Sequence, residues 1–190
     1  MNLWQNSYMT ILPDNIISFW YSKEISPFWF RSTKEIDQII CDKYYDLWVQ
    51  AEAGKLDDWI DSARGCLALV IVLDQFPLNM FRNKARSFST EAQAITVCKH
   101  AISLGYDDQL DKSTLSFLYM PLMHSENNDD QNMSVTLYQQ AGLEANYRFA
   151  QHHQDIVKRF GRFPHRNAIL GRESTQQEIE YLNSDSSFKG

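Results

Sequence analysis

The sequence predicts an all-α fold of antiparallel helices joined by short connections, and three observations carry that prediction. Apolar residues recur at helical spacing along most of the chain. Ser/Thr-x-x-Glu/Gln pairs, whose side chains satisfy the first free N–H groups of a helix, stand ahead of several of these runs. No βαβ alternation and no hairpin signal interrupts the pattern. With 190 residues, 44% of them hydrophobic, the chain can bury one core. We therefore expect a single helical domain over residues 1–183 and a flexible tail over 184–190.

Each element has its own punctuation. Pro13 and Asp14 open a short segment over 15–20. Ser32 with Glu35 makes a capping box for a long helix on which Ile36, Ile40, Leu47 and Ala51 keep near-helical spacing, and Gly54 ends it. Ser62 caps the next helix, where Leu69, Val72, Leu73 and Phe76 set helical periodicity against the β-propensity of LALVIVL. That helix should stop at Phe76, since the residue before a proline is pushed out of the α region. Thr90 with Gln93 caps a helix that turns Ala94, Ile95, Cys98, Ala101 and Ile102 inward and stops at Gly105. Asp111 or Ser113 starts another through Leu115, Leu118 and Leu122, ended or strained near Pro121. A polar loop over 125–130 precedes a helical stretch over 131–160 with Gly142 as its break, and Thr175 with Glu178 boxes a last helix carrying Ile179 and Leu182.

Bulk properties narrow the function classes. Cys41, Cys66 and Cys98 are odd in number, far apart and set in apolar helical patterns, which reads as reduced core thiols in a cytoplasmic protein without metal-ligand spacing. The first basic side chain is Lys23 and no apolar run follows a charged start, so no signal peptide is expected. The apolar run over 66–73 falls short of the ~18 residues of a membrane span. One cationic segment in a chain with pI ≈ 5.3 lacks the broad basic face of a nucleic-acid binder. Nucleotide fingerprints, P-loops and nucleophile motifs are missing.

The cationic segment is RFGRFPHRNAILGR, residues 159–172, with four arginines and no acid in a chain of formal charge −6. Gly161 permits a sharp exit from the preceding helix, Pro164 suits a first helical position and Gly171 a C-cap, so a short helix is expected over 164–170. Its N-terminus, flanked by Arg162, His165 and Arg166 and followed by Asn167 and Arg172, would hold a phosphate, a carboxylate or a peptide C-terminus. The structural alternative has these arginines satisfying buried carbonyls and acids.

Asp74 is the second candidate. Leu67, Val70 and Ile71 lie seven, four and three residues upstream, which places the carboxylate on an apolar, inward face near a helix C-terminus. Burial and dipole both call for a cation, and Arg82, Arg86 or an arginine of 159–172 could supply it, either as a structural ion pair or to orient a group facing a ligand. Gln75 and Asn79 read as turn and capping groups. The histidines come third. His124 with Glu126 could form a general acid/base pair, or with His153 and His165 a metal site, although no HExxH or comparable spacing exists and no metal or cofactor is expected. The plainer role for His124 is a helix C-terminal histidine facing free carbonyls. Trp20, Trp29, Trp48 and Trp59, with Phe19, Phe28 and Phe30, read as packing residues.

Four segments carry a family resemblance: Asp74-Gln75-Phe76-Pro77-Leu78-Asn79, FLYMPLMHSE over 117–126, Phe19-Trp20 with Trp29-Phe30, and the arginine-rich stretch. Together they resemble the bacterial domain-of-unknown-function family 924 over nearly the whole chain. The chain has Leu78, Met123 and Ser18 where an arginine, a glutamate and an acid are common in that family. The resemblance implies a tetratricopeptide-repeat-like α-α superhelix and no established activity. A 34-residue repeat is not found in the sequence itself.

Three functions fit. The first is a binding protein that captures an anionic small molecule or acidic peptide end through Arg162, His165, Arg166, Asn167 and Arg172, with Asp74 and Arg82 in support. The second is a small hydrolase or other acid/base enzyme acting on a phosphorylated or carboxylated metabolite, in which His124 or His165, tuned by Glu126 or Asp74, moves the proton. The third is a scaffold for a protein partner, with purely structural arginines. Neither nucleic acid nor membrane is expected as a partner.

Overall fold

The computed structural model describes residues 11–185, 187 and 188. The expected domain start over 1–10 and tail positions 186, 189 and 190 lie outside the described residues. All regular secondary structure among the described residues is helical.

Helix α1 (Pro13–Trp20) starts on a proline, whose missing N–H costs nothing in a first turn, and buries Ile16, Ile17 and Trp20. Helix α2 (Lys34–Glu52) is capped one position later than expected. Thr33 Oγ1 accepts from Ile36 N at 3.4 Å, while Ser32 Oγ donates to Asp37 Oδ1 at 2.7 Å. Gly54 follows its end at φ 71°, in the left-handed region that terminates helices. Ser62 caps α3 (Ala63–Val70) as expected, accepting from Gly65 N at 3.1 Å.

The expected stop at Phe76 does not occur. From α3 the chain continues through a π-turn (Ile71–Gln75) into α4 (Phe76–Met80), with Phe76 N–H donating to the Ile71 carbonyl. Pro77 has no N–H to give the Leu73 carbonyl, and a local widening to i→i+5 bonds carries the helix past it. Thr90 Oγ1 donates to that Leu73 carbonyl instead, at 2.5 Å. The Thr90 side chain therefore does not cap α5 (Glu91–Ser103), and Gln93 bonds the Glu52 carbonyl at 3.0 Å rather than closing a box. The segment Ala63–Met80 is apolar and long enough to cross a membrane, but it is 83% buried in the protein and is a core helix.

Asp111 caps α6 (Lys112–Leu118), and Pro121 lies in the first turn of α7 (Met120–His124). Helix α8 (Asn128–Gln140) begins inside the stretch expected as loop, because Asn127 Oδ1 accepts from Asp129 N at 2.8 Å and Asp130 N at 3.2 Å. Gly142, at φ 64°, separates it from α9 (Glu144–Phe160). The Thr175/Glu178 box opens α10 (Gln176–Leu182). Of the helix expected over 164–170, a 3₁₀ turn (Pro164–Arg166) and one i→i+4 bond from Leu170 N form. So short a piece has no aligned peptides to build a macrodipole.

Helix α2 packs on α4, α1 on α3, α3 on α5, and α8 on α9. Trp20, Trp48, Phe76, Phe117 and Tyr138 are fully buried at the centre. A smaller cluster of Ile156, Val157, Phe163 and Tyr181 fastens the arginine-rich stretch beneath α10. In the tail, Phe188 packs on His153 with ring centroids 4.5 Å apart.

Candidate functional site

The π-turn turns Asp74 and Gln75 into the interior, where both are buried. Asp74 Oδ1 lies 3.0 Å from Nδ1 of His124, the last residue of α7. The second carboxylate oxygen accepts from Gln75 Nε2 at 2.5 Å, and the same amide nitrogen touches Met120 Sδ at 3.3 Å. A carboxylate can only accept from a neutral imidazole, so it fixes the hydrogen on Nδ1 and leaves the lone pair on Nε2. Nε2 has no hydrogen-bond partner among the described residues, and the His124 side chain is 17% exposed against 4% for Asp74. The pair thus runs from a dry carboxylate outward to an imidazole edge at the surface.

Arg166 closes the other side. Its Nη1 donates to Glu91 Oε2 and its Nη2 to the His124 carbonyl, both at 2.9 Å, and its guanidinium lies 4.5 Å from the Phe88 ring centre and 4.7 Å from that of Phe163. Glu91 is the first residue of α5. Burial pushes its carboxyl above the usual carboxylate range, against the pull of Arg166.

Two further pairs brace the stretch. Glu126 takes Arg172 in bidentate contact, at 2.6 and 2.9 Å, and accepts from Phe163 N at 2.8 Å. Burial works to raise the Glu126 carboxyl, but the bonds from Arg172 and Phe163 outweigh it and leave the group below its ordinary range. Arg162 clasps Glu178 at 2.7 and 2.8 Å and pulls that carboxyl down to about 2. Asn167 donates to Ser174 Oγ at 3.1 Å.

Of the candidate residues, Asp74, His124 and Arg166 come together in one cluster, with Glu126 and Arg172 beside it. The group facing Asp74 is the imidazole of His124, not an arginine. Arg82 goes to Asp37 at 2.7 Å, and Arg86 lies over the Trp48 and Phe81 rings. Glu126, the expected partner of His124, belongs to Arg172. His165 packs against Phe163 and Phe188, and burial followed by the Arg166 charge pushes its imidazole down to about 4. His153 donates from Nδ1 to the Phe149 carbonyl at 2.8 Å, and burial pushes it to about 3. Among the described residues, no group of three or more His, Cys, Asp and Glu could hold a metal ion. Glu91 was not legible beforehand, since an acid in the first turn of a helix is ordinary.

The model of the bacterial proteins of unknown function DUF924 matches residues 16–186. The chain belongs to this family. Asp74, Glu91, His124, Glu126, Arg162, Arg166 and Arg172 all lie within the DUF924 match. The chain is also similar to a solved structure of a protein of unknown function from Agrobacterium tumefaciens, at 37% identity and a TM-score of 0.85, over 90% of this chain and 96% of that one. No curated protein matches. The DUF924 name carries no activity, so the chemistry follows from the geometry.

Proposed function

We propose that this protein is an acid/base enzyme acting on a small polar metabolite, with His124 Nε2 as the proton-transfer atom and Asp74 as the group that orients the ring. The observation that carries the reading is the 3.0 Å contact between a buried Asp74 and a surface-reaching His124. When Nε2 takes a proton from substrate, the imidazolium forms against a carboxylate already in place and bonded at Nδ1, so no reorganisation is needed at that moment. Gln75 occupies the other carboxylate oxygen and prevents Asp74 from rotating away. Arg166 fixes the carbonyl of His124 itself. A π-turn at the acid-bearing segment agrees with the frequency of such turns at functional sites.

Anion capture by Arg162, His165, Arg166, Asn167 and Arg172 is the weaker reading. Each of the three arginines already faces a carboxylate, and an incoming anion would have to displace it. We place the reaction in the cytoplasm, a reducing compartment, on the support of the free thiols Cys41, Cys66 and Cys98. A tetratricopeptide-like stacking of helix pairs is part of the proposal, supported by the packing of α8 on α9.

A turnover screen over phosphorylated and carboxylated small molecules tests it, with wild type and His124→Gln run in parallel. The expected result is at least one substrate whose turnover falls about 10²–10⁴-fold in the folded variant. No turnover across the screen, or turnover that survives His124→Gln, overturns the reading.

A further inference from the structure

We infer that Thr90 is a positioning residue for the Asp74–His124 pair: its hydroxyl pins the Leu73 carbonyl and so sets the Asp74 turn against the start of α5. The inference rests on the acid/base reading.

The need for such a pin begins with Pro77. In a regular helix the Leu73 carbonyl would accept from the N–H of residue 77, and proline has none. A buried carbonyl without a partner is unstable, so some donor must reach it from outside the helix. Thr90, fully buried, donates from Oγ1 to Leu73 O at 2.5 Å. The same oxygen accepts from Trp48 Nε1 at 3.3 Å, which directs the hydroxyl hydrogen toward Leu73. Trp48 is itself held, fully buried, with the Phe81 ring 4.9 Å away and the Arg86 guanidinium 4.7 Å above its own ring. A rigid indole therefore aims the hydroxyl, and the hydroxyl holds the turn.

Adjacency in the chain carries this bond to both charge pairs. Leu73 immediately precedes Asp74, the partner of His124. Thr90 immediately precedes Glu91, the partner of Arg166, and Arg166 in turn bonds the His124 carbonyl. The Thr90–Leu73 bond thus closes a loop through Asp74, His124, Arg166 and Glu91. Without it the π-turn can relax, and the Asp74 carboxylate shifts relative to Nδ1.

The test is the tautomer of His124, read from its ¹⁵N imidazole shifts at alkaline pH in the full chain, for wild type, Thr90→Val, Thr90→Ser and Asp74→Asn. Valine keeps the shape and removes the hydroxyl, whereas serine keeps the hydroxyl. Thr90→Val is expected to lose at least about half of the Nδ1–H form, and Thr90→Ser to retain it. Thr90→Ala, which removes the same hydroxyl with less strain, replaces valine if that variant does not fold. A folded valine or alanine variant with the wild-type tautomer overturns the inference, as does a serine variant as damaged as valine. If Asp74→Asn leaves the tautomer unchanged, the acid/base reading itself fails, and the two failures are distinguishable.

Discussion

Arg166→Ala is expected to lose about 3–5 kcal/mol of stability, because it breaks a buried pair from one side only. The Glu91 carboxylate and the His124 carbonyl would both be left in a poorly solvated place without their donor. The guanidinium also lies over Phe88 and Phe163, and its planar face contributes through both rings. Arg166→Lys should recover little, since an ammonium cannot reach two acceptors from one plane and stack between two rings. Adding Glu91→Gln to Arg166→Ala removes the stranded charge and should return part of the loss, so the double variant lies above the sum of the single ones. Urea unfolding of the four proteins at pH 7.5 measures this cycle. A loss below about 1 kcal/mol in Arg166→Ala would mean that the pair is not buried as described.

Acid sensitivity is the second large effect, and its sign follows from His153 and His165. Both are bases whose folded values, about 3 and about 4, lie below the ordinary 6.5. Between those values and 6.5 the unfolded chain binds more protons than the folded one, so stability is fully present above pH 6.5 and falls as the pH drops. The loss from His153 continues down to about pH 3 and from His165 to about pH 4. Each imidazole should cost about 2 kcal/mol between pH 7.5 and pH 5. Glu178, held down to about 2 by Arg162, adds its own loss only below its ordinary 4.5. Glu91, raised by burial, takes up its proton above its ordinary range and offsets part of this loss, so the window from pH 6.5 to 5 reports chiefly on the two histidines. Urea midpoints at pH 7.5 and pH 5 check it. The slope should shrink by about half in His153→Gln and be abolished or slightly reversed when His165→Gln is added, because Glu91 then acts alone in that window. An unchanged slope in the double variant would assign the acid sensitivity elsewhere.

Much of the fold was legible because its signals are local. Ser62, Asp111 and the Thr175/Glu178 box cap the helices they were expected to cap, and Gly54 and Gly142 break the chain where φ turns positive. The misses have a common cause in side chains diverted by distant groups. Thr90 carries a helix-start signal, but its hydroxyl answers a carbonyl orphaned by Pro77. A proline after a run of apolar residues reads as a stop, and nothing local announces that a π-turn will carry the helix past it. Periodicity alone places Asp74 in the interior, where the structure has it, yet its partner stands 50 positions away on α7. Glu126 beside His124 was the tempting pair, and it serves Arg172. The arginine-rich stretch looked like an anion site because its neutralising acids, Glu91, Glu126 and Glu178, come from three other parts of the chain.

The central claim is that Asp74 orients His124 with its lone pair outward, and the tautomer of the neutral ring tests it most directly. In wild type, ¹⁵N shifts of the His124 imidazole should place the hydrogen on Nδ1. In Asp74→Asn they should place it on Nε2. Gln75 Nε2 donates to one Asp74 oxygen, so an asparagine there would turn its own oxygen to Gln75 and its NH₂ toward Nδ1, which must then accept. A wild-type ring with its hydrogen on Nε2, or a tautomer indifferent to Asp74→Asn, would contradict the account.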